Sequence, residues 1–270
     1  MLKQRVITAL IIAVIGLSAL FLLPAPAFSV FVALLLAGLG GWEGARLAGL
    51  DSAMSRAGLV VMLLAGCLAI ALLAPTGLLT AVLATTAAAW IICFAWLARP
   101  KLASCITVGT IAVKLLLLSI ILIGGWLALS RLQALSPWLV VLLLILIASA
   151  DTFAYFTGRH FGGPKLAPRI SPGKTRAGAI GGLVGAMVLT ALAALALPDM
   201  PFGPGLAAVV ALLIALASIG GDLFISLLKR QRDLKDTSNL LPGHGGVLDR
   251  FDSLSAALPF FALAVMLWGY

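Results

Sequence analysis

The segment from Gly220 to Ser253 concentrates the residues of this chain that can do polar chemistry. It reads GGDLFISLLKRQRDLKDTSNLLPGHGGVLDRFDS. Five of the nine acidic residues lie in it: Asp222, Asp233, Asp236, Asp249 and Asp252. Lys229, Arg230, Arg232, Lys235 and Arg250 lie there too, with His244, one of two histidines. Carboxylates beside a cluster of cations suit phosphate handled through a divalent ion. Mg²⁺ takes one or two carboxylates and completes its shell with phosphate oxygens and water. Asp249 and Asp252 are three apart and share a face if the segment is helical. Lys229 and Arg230 end an apolar run, where cations complement a helix C-terminus. Pro242-Gly243-His244-Gly245-Gly246 is a turn whose glycines let backbone approach a ligand closely. No Cys/His set supports zinc. Cys67, Cys93 and Cys105 are scattered and read as packing residues.

Two other polar features stand near this segment in kind. Asp151 ends a long apolar run, and a carboxylate at such a boundary is costly enough to suggest a function. With Asp222, at the end of a later run, it offers two carboxylates on separate helices that could share a cation. The stretch 158–177, GRHFGGPKLAPRISPGKTRA, is rich in glycine, proline and basic residues. Ser171-Pro172-Gly173-Lys174-Thr175 invites a P-loop reading, but Pro168 stands where that motif needs glycine and no strand is expected before it. What remains is a cationic turn suited to a phosphate or a lipid headgroup. The plainer alternative is an ordinary basic loop at a membrane face.

These residues must be positioned by apolar helices. Of the 270 residues, 63% are apolar and 10% charged, with a mean hydropathy of +1.20. A soluble domain carries about 25% charge. The chain is therefore expected to be an all-α, polytopic integral membrane protein. About nine spans of the ~20 residues that a bilayer requires run near 6–23, 27–44, 57–74, 77–97, 109–129, 135–157, 178–197, 204–227 and 252–270. Prolines 24, 26, 75, 100, 137, 198 and 201 separate them, where a missing N–H costs least. The first segment is expected to be an uncleaved span, its apolar run being longer than a signal-peptide core. Residues 1–135 read as N-terminal helices and 136–270 as C-terminal helices carrying the site, within one membrane unit. If the N-terminus is cytoplasmic and the spans alternate, all of the 18 Lys and Arg residues except Arg131 and Lys114 fall on or beside the cytoplasmic face. The net charge of +9 then reflects headgroup contact, not nucleic acid. Close helix approach is expected at Gly40 with Gly44, Gly181 with Gly185, and Gly220–Gly221.

Ser226-Leu-Leu-Lys229-Arg230, Lys235-Asp236, Pro242-Gly-His244-Gly245-Gly246 and Asp249-Arg250-Phe-Asp252 together resemble the signature of the phosphatidate cytidylyltransferases of bacteria. Asp151-Thr152, Ala154-Tyr155-Phe156, Gly158-Arg159, Lys165-Leu166 and Ser171-Pro-Gly-Lys174-Thr175 resemble that family's other polar segment, and Trp42-Glu43 is a fainter likeness upstream. Phe153 and Ala177 depart from the pattern, which has glycine and glutamate there, so this loop lacks that acidic group.

The resemblance implies that CTP and phosphatidate give CDP-diacylglycerol and pyrophosphate, at the cytoplasmic face of the inner membrane. It implies that Asp222 and Asp249 hold Mg²⁺, with Asp151 beside them and room for a second cation. Lys229, Arg230 and Lys235 would meet phosphates, and His244, Gly245 and Gly246 would line the nucleotide with Arg250. Ser171 and Lys174 would meet the lipid phosphate, and Asp236 and Asp252 would support the chemistry. The expected partners are CTP, phosphatidate and membrane lipid, with a homodimer left open. A CTP-dependent polyprenol-type lipid kinase would use similar parts but needs a general base for an alcohol. A transporter or flippase would show an inverted repeat, and none is visible.

Overall fold

The structure, a computed structural model, describes residues 2–268. Met1, and Gly269 and Tyr270 at the end of the last expected segment, lie outside the described residues, as do the side chains of Leu2, Lys3, Arg5 and Thr76. Ten α-helices follow one another: α1 (Leu2–Leu22), α2 (Ala25–Ala33), α3 (Gly41–Ala48), α4 (Ala53–Leu73), α5 (Thr76–Leu97), α6 (Val108–Leu135), α7 (Pro137–Phe161), α8 (Arg176–Ala196), α9 (Pro204–Gln231) and α10 (Leu248–Trp268). A π-helical stretch, Leu34–Gly40, fuses α2 and α3 into one crossing segment. Among the described residues, eight segments are long and apolar enough to cross a membrane, and the shorter apolar Val6–Leu22 accompanies them. This is an all-α integral membrane protein: the second to ninth expected segments are of crossing length, and the first is the shorter Val6–Leu22.

Local chemistry explains the boundaries. Pro24 and Pro75 precede α2 and α5, and Pro137 and Pro204 open α7 and α9, positions that need no N–H donor. Ser52 and Thr107 cap α4 and α6, the latter in a reciprocal capping box with Thr110. Gly49, with φ of 116°, closes α3 in the left-handed conformation that glycine tolerates.

The connection 162–175 differs from the turn expected there. β1 (Lys165–Ala167) and β2 (Ser171–Thr175) pair antiparallel, Lys165 opposite Thr175 and Ala167 opposite Ser171. Cys105 also differs: it is exposed, while Cys67 and Cys93 pack in the core as expected.

The core is built on α6, α9 and α10, with Trp90, Phe224 and Phe261 fully enclosed among them. The outward Leu, Ile and Val side chains of α1, α4 and α8 are exposed, as lipid-facing surfaces require. α7 and α8 form the tightest helix pair. A Cβ on Gly182 would lie 2.7 Å from the Ala150 carbonyl oxygen, and one on Gly221 would lie 2.5 Å from that of Asp252. Backbones approach this closely only where side chains are absent. Gly40 and Gly44 instead face Leu side chains: a Cβ on Gly40 would press to 3.3 Å from Leu122, and one on Gly44 would meet Leu118 at an ordinary 3.6 Å. The two glycine contacts bring Asp151, Lys174, Asp222 and Asp252 to the same end of the bundle.

Gly182→Ala is expected to lower stability by about 1–3 kcal/mol through overpacking, read as a fall in thermal midpoint in detergent. Gly16→Ala, which meets nothing within 4 Å, is the control and keeps or raises the midpoint.

Candidate active site

The end of the bundle that gathers the polar residues is formed by the ends of α3, α7 and α9, the starts of α8 and α10, the hairpin and the loop 232–247. Long-range contacts tie these parts together. Arg230 Nε donates to the Ile170 carbonyl at 3.4 Å, and Gln231 donates to the Pro100 and Leu102 carbonyls. Arg232 pairs with Asp51 at 2.5 Å, and Thr8 of α1 donates to the Pro242 carbonyl at 3.0 Å.

Two ion pairs define the site, and they differ in burial. Lys174, on β2, pairs with Asp222 of α9, and Ser226 Oγ donates to the other Asp222 oxygen at 3.2 Å. The Lys174 and Asp222 side chains remain 32% and 26% exposed. Asp252 of α10 lies within electrostatic reach of Asp222, Lys229 and Arg250, and Asp151 of α7 within reach of Lys174, Asp222 and Arg250. Carboxylates from three helices thus stand around Lys174 and Arg250.

The second pair joins Lys229 to Asp249 Oδ1 at 2.6 Å, with side chains only 11% and 3% exposed. Asp249 Oδ2 accepts from the Thr237 and Gly246 N–H groups at 2.8 and 2.9 Å and lies 2.9 Å from the Thr237 hydroxyl. Asp249 therefore organises the loop before its own helix, whereas Asp252, three residues on, looks toward Asp222. The shared helix face expected from their spacing is divided between two tasks.

The loop itself is a tight turn. The Leu241 N–H donates to the Gly245 carbonyl and the His244 N–H to the Leu241 carbonyl, both at 2.8 Å, and Gly243 and Gly245 take φ of 75° and 79°. It walls a polar cavity of about 480 Å³ lined by Lys235, Asp236, Asn239, His244, Gly245 and Arg250. His244 Nδ1 is buried without a hydrogen-bond partner. Such an atom is costly unless something bonds to it. Gly246 lies beneath the cavity wall, packed on Thr237 and on Glu43. Ser171 is half-buried where β2 begins, and Arg230 is exposed beside the hairpin.

The structure thus brings Asp151, Lys174, Asp222, Asp252 and Arg250 into one cluster, and Lys235, Asp236, His244, Gly245 and Arg250 around one cavity. Lys229 links the cluster to buried Asp249. Sequence reading missed Glu43, Thr237 and Ser238 as members of this region. A lone glutamate in an apolar segment was the available signal.

The oxygen donors present fit a hard divalent cation. Asp222 keeps an accessible carboxylate, with Asp151 and Asp252 near, and the cluster holds no thiol or imidazole. Among the described residues no three acidic, His or Cys groups close on one point. A cation here would draw its remaining ligands from phosphate and water, as Mg²⁺ commonly does. Asp249 would join only by giving up Lys229.

Residues 3–268 match the family model described as the cytidylyltransferase family. The phosphatidate cytidylyltransferase of Pseudomonas aeruginosa is 41% identical over 276 residues, covering 99% of this chain and 97% of that protein. Those of Haemophilus influenzae and Bacillus subtilis are 46% and 44% identical over 128 and 123 residues, covering 46% and 45% of this chain and 44% and 45% of those proteins.

The contrast in burial sets different costs. Asp249→Ala leaves the Lys229 ammonium buried and unpaired and is expected to cost about 3–5 kcal/mol. Asp51→Ala, whose partner pair is 73% exposed on the aspartate side, is expected to cost under about 1 kcal/mol. Chemical denaturation of both variants in detergent measures the difference.

Proposed function

The chain belongs to the cytidylyltransferase family, and from that premise we propose that it transfers the cytidylyl group of CTP to phosphatidate, giving CDP-diacylglycerol and pyrophosphate. The observation that carries the reading is a cluster of Lys174, Asp222, Asp252 and Arg250 at one end of a bundle of apolar, membrane-length helices, sharing Arg250 with a polar cavity of about 480 Å³. That volume lies within the range of small-molecule sites. The two substrates of such an enzyme differ in phase, one soluble and one in the bilayer, and this placement lets them meet.

The chemistry asks for little proton movement. An oxygen of the phosphatidate phosphate attacks the α-phosphorus of CTP as the bond from that phosphorus to the β-phosphate oxygen breaks. The nucleophile is already an anion, and pyrophosphate leaves as one. The obstacle is two anions approaching each other, so the residues that matter are those that neutralise and align. We assign the cavity wall of Lys235, Asp236, His244, Gly245 and Arg250 to the nucleotide. His244 Nδ1, otherwise unpartnered, gains a bond there. Ser171, Lys174 and Arg230, on or beside the hairpin, take the lipid phosphate, and Arg250 stands between the two groups. Lys229 supports this arrangement from its buried pair and presents positive charge to Asp252.

Mg²⁺ fits Asp222, with Asp151 and Asp252 beside it and Asp249 available when Lys229 turns to an anionic ligand. When bound, it would neutralise charge on the triphosphate and the departing pyrophosphate. We place the site on the cytoplasmic side of the bacterial inner membrane, where CTP is found, and the basic residues of the hairpin and of residues 228–251 agree with that side.

The purified protein with phosphatidate, Mg²⁺ and CTP labelled on either phosphate tests this. Label from the α-phosphate is expected in the lipid phase and label from the γ-phosphate in pyrophosphate. Lipid carrying γ-label would overturn the reading in favour of a lipid kinase. Asp222→Asn is expected to lower kcat/KM by about 10²-fold or more while the protein keeps its thermal midpoint.

A further inference from the structure

Glu43 is 3% exposed, inside the apolar segment formed by α2, the π-helical stretch and α3. No lysine or arginine pairs with it among the ion pairs of the described residues. Instead its carboxylate collects four hydrogen bonds from residues some two hundred positions away. Oε1 accepts from Ser238 Oγ at 2.7 Å and from the Val247 N–H at 3.0 Å. Oε2 accepts from Thr237 Oγ1 and from the Leu248 N–H, both at 2.8 Å. Three residues on, Arg46 donates to the Thr237 carbonyl at 3.4 Å. Helix α3 therefore grips both ends of the loop that walls the polar cavity, and it caps the first N–H groups of α10 from outside that helix.

The geometry fits a carboxylate and nothing else of that size. Both oxygens face a backbone N–H, which cannot turn to accept. Glutamine would place its NH₂ against Val247 or Leu248 in either orientation, donor against donor. The grip also reaches the ion pair. The Thr237 hydroxyl lies 2.8 Å from Glu43 Oε2 and 2.9 Å from Asp249 Oδ2 and has one proton for the two. Glu43, Thr237, Asp249 and Lys229 thus form one connected chain from α3 to the end of α9.

We infer that Glu43 is a positioning residue for the nucleotide: through Thr237, Ser238, Val247 and Leu248 it fixes the loop that carries His244 and Gly245 and so sets the affinity for CTP. The inference rests on the proposed cytidylyl transfer for its kinetic arm and on the loop alone for its second arm. It does not extend to the lipid phosphate, whose residues lie on the hairpin.

In the kinetic arm, Glu43→Gln is expected to raise KM for CTP by about tenfold to a hundredfold, the worth of lost charge-assisted bonds. KM for phosphatidate stays within about twofold of wild type, as expected of bonds made only to the nucleotide loop. Glu43→Asp, which keeps the charge with a shorter reach, falls between and serves if the Gln variant does not fold. In the second arm, hydrogen–deuterium exchange in detergent follows the amides of residues 237–248. They are slow in wild type, fast in the Gln variant and partly restored in the Asp variant, and the amides of the hairpin are unchanged. Unchanged exchange with KM for CTP within twofold would overturn the inference. So would equal losses for both substrates, which would mark Glu43 as a general stability element. Absence of any cytidylyl transfer by wild type would count against the proposed function, and the exchange arm would still decide what Glu43 holds.

Discussion

A loop of about a dozen residues at a membrane face presents backbone N–H groups that neither lipid nor the backbones of neighbouring helices satisfy, and here two buried carboxylates take them up. Glu43 and Asp249 between them accept from the backbone of Thr237, Gly246, Val247 and Leu248 and bracket the Thr237 hydroxyl. An unsatisfied donor in that setting costs about 1–3 kcal/mol, so the loop holds one conformation only while both acids are present. Their negative charge also sits at the start of α10, where the helix dipole favours it. Lys229 answers the charge of Asp249. The cavity beside Lys235, His244 and Arg250 has a defined wall because the strands of chain beneath it are tied in this way.

The same contacts join distant parts of the sequence. Residues 136–270 carry the hairpin, α9 and the loop, but Glu43, Arg46 and Asp51 come from the first fifty-odd residues and reach Thr237, Ser238, Leu248 and Arg232. The π-helical turn before α3 widens the helix just ahead of Glu43. Such turns often occur at functional positions, and this one precedes the residue that enters the polar region. A site assembled from the C-terminal helices alone would lack a partner for Val247 and Leu248.

Much of this was readable from residue order, and the unreadable part has physical causes. Apolar runs of bilayer length, separated by prolines, mark where helices lie, because lipid leaves no other way to satisfy the backbone. The clustering of Asp222, Lys229, Asp249 and Asp252 in one short stretch marks where polar chemistry lies. The hairpin was not legible: strands of three and five residues, the longer containing Pro172 and Gly173, have no propensity signal. Spacing put Asp249 and Asp252 on one face, but it does not encode which of them a returning loop will cover. Glu43 was visible as an isolated acid and, with Trp42, as a faint family likeness, but not as a member of the site, since its partners are set by tertiary packing and are ordinary residue types.

Exposure separates the two ion pairs into different kinds of object. Lys229–Asp249 lies out of water, and breaking it strands a charge where screening is weak. It can serve as a fixed brace and exchanges partners only for a ligand that brings equivalent charge. Lys174–Asp222 is partly open to solvent, with side chains 32% and 26% exposed, and screening there makes the pair weaker than the buried one. In the proposed reaction an arriving phosphate takes Lys174 at small cost, and the Asp222 carboxylate so released, with Asp151 and Asp252 near it, would be the oxygen donor offered to Mg²⁺. On the proposed chemistry the resting pair keeps both partners in place without holding either tightly. The rigid pair about two helical turns further along α9, at Lys229, keeps the frame from following when they part.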